Sequence, residues 1–109
     1  MLEKEIEKKC CDHARKLGFL VYKFVSPTQR GVPDRMFIAF GRTLFIEFKA
    51  PGKKPTKLQR HHMDKLTAAG MDCIVIDSLE TGRQFLENTY ENYRGHDAPT
   101  KRSPFPPPE

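Results

Sequence analysis

The stretch from Gly31 to Lys49, GVPDRMFIAFGRTLFIEFK, decides how this chain folds. Met36, Phe37, Ile38 and Phe40 make one apolar run, and Leu44, Phe45, Ile46 and Phe48 make a second, both of strand length. Between them Gly41-Arg42 has the Gly-X form of a two-residue type II′ turn. That turn sets Phe40 opposite Thr43, Ile38 opposite Phe45, Met36 opposite Glu47 and Asp34 opposite Lys49. Side chains alternate along a strand, so Asp34, Glu47 and Lys49 emerge on one face at one end of the hairpin. Asp34 and Glu47 are then diagonal neighbours.

Two carboxylates and a lysine at the end of an apolar sheet are costly to desolvate unless they are paired or hold a metal. The residues support two readings. In one, a divalent ion sits between the carboxylates, the lysine holds or polarises a water, and the group hydrolyses a phosphodiester. In the other, Asp34, Glu47 and Lys49 form an internal ion-pair cluster without activity.

Pro33-Asp34 followed by Glu47-Phe48-Lys49 looks like the PD-(D/E)XK signature of the restriction-endonuclease-like fold. The wider pattern narrows it: Gly31-Val32-Pro33-Asp34-Arg35, then Phe45 to Gly52 (FIEFKAPG), then Gln59, resembles the stand-alone VRR-NUC nucleases of phages and bacteria. The likeness runs from about residue 3 to about residue 85. It implies a metal-dependent nuclease acting on DNA, with Mg2+ or Mn2+ as cofactor, and some small members resemble Holliday-junction resolvases. It also implies a helix-1 glutamate beside the metal, for which Glu3 matches best and Glu7 stands in reserve. Gln59 falls where the family carries a glutamine that contacts water or substrate. With Asp34 and Glu47 as metal ligands, the Phe48 carbonyl is the expected third protein ligand and Lys49 the catalytic lysine.

The rest of the chain reads as support for this hairpin. Leu2, Ile6, Cys10, Ala14 and Leu17 recur at helical spacing, and Gly18 suits a C-cap. Phe19 to Val25 is a strand, in which Lys23 is either a phosphate contact or an edge charge that blocks aggregation. Ser26 to Gly31 is a polar loop carrying Arg30. Thr56-Lys57-Leu58-Gln59 is a capping box opening a second helix that stops at Gly70. Capping accounts for Gln59 without chemistry, and a single side chain is expected to hold either the cap or the site role. Cys73 to Ile76 is apolar without interruption, as in a strand buried on both faces, and Asp77-Ser78 opens a last helix. The order αβββαβ with a C-terminal helix is an α/β, restriction-endonuclease-like core. We place the nuclease-like domain at residues 1–94 and a Pro-rich, disordered tail at residues 95–109.

The 109 residues fit one small domain. A net charge of +5 and a pI near 9.2 suit a polyanion without demanding one. Three cysteines (Cys10, Cys11, Cys73) have neither zinc spacing nor the makings of a disulfide framework, as expected of reduced thiols in a cytoplasmic protein of phage or bacterial origin. No apolar run approaches the roughly 20 residues that span a bilayer, and neither a membrane nor a small-molecule cofactor is expected. Arg30, Lys53, Lys54 and Lys57 lie in loops near the predicted site, either as solvated charges or as contacts to DNA phosphates. No element is suited to reading base edges, which favours branched DNA recognised by shape. Resolving a four-way junction takes two symmetric cuts, and a chain this short holds one site, so a homodimer is expected. The alternatives are a non-catalytic DNA-binding module of the same fold, or a flap or general nuclease.

Overall fold

Seven elements follow the order αβββαβα: α1 (Glu3–Leu17), β1 (Leu20–Lys23), β2 (Arg35–Ala39), β3 (Arg42–Phe48), α2 (Lys57–Ala68), β4 (Asp72–Ile76) and α3 (Leu79–Gly95). They are seen in a computed structural model that describes residues 1–26 and 28–96. Beyond His96 the expected Pro-rich tail lies outside the described residues; Gly95, assigned to that tail by sequence, ends α3. Among the described residues no helix is long and apolar enough to cross a membrane.

The sheet runs β1-β2-β3-β4, antiparallel through β3, with β4 parallel to β3. A parallel neighbour cannot follow a tight turn, and α2 supplies the crossover. In β3 every residue from Leu44 to Phe48 is buried, so both of its faces are covered. Leu44, Ile46 and Phe48 join Phe37, Ile6, Cys10, Ala14 and Leu86 in a core under α1 and α3. By alternation Phe45 and Glu47 point the other way, where Phe45 meets the ring of Phe24 and Glu47 meets Gln59 of α2.

The hairpin turns one residue earlier than the Gly-X pattern implies. Ala39 pairs with Arg42, Ile38 with Thr43, Phe37 with Leu44 and Met36 with Phe45. Phe40 (φ 53°) and Gly41 (φ 73°) are the two central residues, and positive φ at both is the mark of a type I′ turn. A phenylalanine in the left-handed region costs roughly 1–2 kcal/mol. Its ring packs 5.0 Å from that of Tyr90 in α3, a tertiary contact that offsets the strain.

Three further expectations shift. Leu2 is the N-cap of α1 and 71% exposed, while Cys11 is buried beside Cys10, because α1 is covered by α3 as well as by the sheet. The first strand is four residues long. β4 is an edge strand whose Cys73, Ile74 and Val75 are half-buried, and only Ile76 is fully enclosed. Cys10, Cys11 and Cys73 are all free thiols.

Candidate active site

Asp34 sits one residue before β2 and continues its ladder. The register that pairs Arg35 with Ile46 brings Asp34 directly opposite Glu47, where the sequence pattern made them diagonal neighbours. Two features hold Asp34 there. Gly31 (φ 80°) passes so close to α2 that a Cβ would lie 2.9 Å from Leu58 Cγ and 3.1 Å from the Gln59 nitrogen. Pro33 is fully buried, which fixes the approach to the strand. Asp34 Oδ2 then accepts the Phe48 N–H at 3.3 Å, and its carbonyl accepts the Phe24 N–H at 2.9 Å. Lys49 follows β3, its backbone N–H given to Ile76, and its Nζ lies 3.6 Å from Glu47 Oε2.

Burial sets the electrostatics. Glu47 is 2% exposed. Desolvation pushes its pKa up from 4.5 to about 7; the Asp34 charge adds to the rise and Lys49 opposes it. Asp34 is raised too, first by burial, with Glu7 and Glu3 adding repulsion and the Phe48 N–H pulling the other way. Glu47 Oε2 is served by Lys49 and by Gln59 Nε2 at 3.2 Å. Glu47 Oε1 is buried without a hydrogen-bond partner. An orphaned buried acceptor costs about 1–3 kcal/mol, more when charged, so this end of the sheet is short of positive charge. Among the described residues no three His, Cys, Asp or Glu side chains gather into a metal-holding group.

Gln59 corrects an expectation. Its Oε1 accepts the Thr56 N–H at 2.9 Å, closing the capping box, while its Nε2 donates to Glu47. The two ends of one amide serve the cap and the Glu47 carboxylate at once, so capping does not keep Gln59 away from the candidate site. On α1, Glu7 is held by Arg35 at 2.6 Å, whereas Glu3 is half-buried and has no ion-pair partner among the described residues.

A protein of Acyrthosiphon pisum secondary endosymbiont phage 1, named "Putative nuclease p44", is 48% identical over 79 residues, covering 72% of this chain and 85% of its own length. A solved structure described as a VRR_NUC domain superposes with a TM-score of 0.72 at 24% identity, over 78% of this chain and 94% of that one. The chain belongs to the family of this phage protein, and its fold is that of a VRR_NUC domain. No family model matches it.

In this fold the flanking cations are all exposed: Arg30 precedes the Gly31 contact with α2, and Lys53, Lys54 and Lys57 occupy the loop and first turn after Lys49. That loop is tied down by Gly52, whose N–H goes to Asp77 Oδ2 at 3.2 Å. The sequence reading missed Arg35. Its place directly after Asp34 was visible, but its Glu7 partner lies 28 positions away and is reached only through the fold.

Proposed function

We propose that this VRR-NUC domain is a DNA endonuclease that depends on Mg2+ or Mn2+ and cuts four-way (Holliday) junctions as a homodimer. The nuclease name of the phage relative and the VRR_NUC fold support hydrolysis of a phosphodiester. The observation that carries the metal is the buried, donor-less Glu47 Oε1 beside a second raised carboxylate, Asp34. A hard divalent ion takes oxygen ligands, and this is an oxygen set short of a cation. Asp34, Glu47 and the Phe48 carbonyl would hold it. In an extended strand a residue's N–H and C=O leave on the same side, and the Phe48 N–H points to Asp34. Once bound, such an ion supplies charge to phosphoryl oxygens and acidifies water.

The remaining roles belong to the chain. Lys49, leashed to Glu47, orients the attacking water and stabilises negative charge on the phosphate in the transition state, neither of which requires it to titrate. Gln59 fixes the Glu47 carboxylate from the rigid first turn of α2. Glu3 is the helix-1 carboxylate, since Glu7 is taken by Arg35. Arg30, Lys53, Lys54 and Lys57 contact DNA phosphates and position the substrate without reading bases. Two copies related by a two-fold axis supply the paired cuts.

The test is cleavage of a four-way junction, a flap and a linear duplex side by side in Mg2+ or Mn2+, with sedimentation of the free and junction-bound protein. Preferential junction cutting by a dimer is expected. Equal cutting of flap and junction removes the resolvase reading, monomer throughout removes the dimer, and no cutting with either ion removes the nuclease.

A further inference from the structure

We infer that the groove between α1 and the β1–β2 edge is a second phosphate-binding surface, holding the DNA backbone on the β1 side of the site. The inference rests on the reading of this domain as a DNA-acting protein, and it assigns residues outside the 50–57 loop. Five cations from three elements meet there: Lys4, Lys8 and Arg15 of α1, Lys23 of β1 and Arg35 of β2 line a groove of about 290 Å³ with Glu7.

The carboxylates at hand are already engaged. Glu7 is bound to Arg35 at 2.6 Å. Asp12 is shared between Lys8 at 2.9 Å and Arg15 at 3.3 Å. Lys4 and Lys23 have no ion-pair partner among the described residues, and both are exposed. The groove therefore carries excess positive charge, and like charges crowded together oppose folding unless a counter-charge arrives.

Lys23 is the most telling member. Phe19 is buried, Val21 packs on the core, and Lys23 follows on the same α1-facing side by alternation. Lys23 is exposed and has no ion-pair partner among the described residues, so its ammonium is available to a phosphate.

Position supplies the rest. Lys23 pairs with Arg35, and Arg35 holds Glu7, whose charge reaches Asp34, so the groove lies at the carboxylates' end of the sheet, on its α1 face. The 53–57 lysines leave β3 on the α2 and β4 side. A strand crossing the site then meets cations on both flanks. Evenly spaced negative charges of a nucleic-acid backbone suit such a track, and each neutralised phosphate releases counterions.

The test needs no cleavage. Binding of a fluorescent duplex is followed by anisotropy in EDTA against salt concentration for the wild type, for Lys4→Gln/Lys23→Gln, and for Lys16→Gln/Lys65→Gln, which removes the same charge from exposed positions off the groove. The groove pair should lower the slope of log affinity against log salt by about 1.8, at about 0.9 per lost phosphate contact, and the control pair by far less. An unchanged slope for the groove pair, or equal losses for both pairs, overturns the proposal. A wild type that cuts no DNA in Mg2+ or Mn2+ would count against the nuclease reading alone, because the slopes decide the groove separately.

Discussion

Replacing Glu47 with glutamine should stabilise the metal-free protein, and only above mildly acidic pH. Glu47 is enclosed, with one oxygen lacking a donor, and its pKa stands at about 7 against 4.5 for a free glutamate. A folded-state pKa above the unfolded value means the native state holds the proton more tightly. Stability linked to this group is therefore fully present below about pH 4.5 and is lost as pH rises through about 7. At about 1.36 kcal/mol per pKa unit, the ionised carboxylate costs the fold up to about 3 kcal/mol at pH 8. Glutamine keeps the shape and an acceptor for Gln59 and Lys49 but carries no charge. Urea melts in EDTA at pH 5 and pH 8 give the comparison, with the variant gaining its advantage between the two. Added Mn2+ should then raise the wild-type unfolding free energy by roughly 2.7 kcal/mol at a hundredfold excess over Kd, and leave the variant unmoved. A variant with no greater advantage at pH 8 than at pH 5 would refute the claim that this carboxylate is held under electrostatic stress.

Asp34→Ala and Glu47→Ala should each abolish cleavage with the fold intact by circular dichroism, whereas Lys49→Ala should lose about 100-fold or more in turnover while calorimetry still shows metal binding. Gln59→Ala should lose both the cap closure and the donor to Glu47, lowering stability by about 1 kcal/mol and cleavage as well. Thr56→Ala removes the other half of the capping box, at about 1 kcal/mol, and should lower the urea midpoint without altering the cleavage rate. At the hairpin, Phe40→Asn gives the Asn-Gly pair that a type I′ turn favours but loses the Tyr90 contact, so its urea midpoint should sit above that of Phe40→Ala, which loses the ring and keeps the strain.

The gathering of Asp34, Glu47 and Lys49 was legible in one dimension because it depends on parity alone. Strand side chains repeat every two residues, so moving the turn from Gly41-Arg42 to Phe40-Gly41 shifts each partner by two and leaves every side chain on its face. The helices were legible for a similar local reason: Thr56 and Ser78 cap their own chains, and Ile6, Cys10 and Ala14 mark a stripe within one helix. What the sequence could not decide are the matters settled by a residue far along the chain. The turn type depends on Tyr90, fifty positions from Phe40. That Glu7 has an ion-pair partner, and Glu3 none among the described residues, depends on Arg35 reaching back to α1. The double duty of Gln59 depends on α2 crossing over so that Glu47 meets the free end of its amide, and Lys23 has a role to argue for only once α1 closes one side of its groove. Local periodicity fixes which face a side chain takes; packing between distant segments decides what waits for it there.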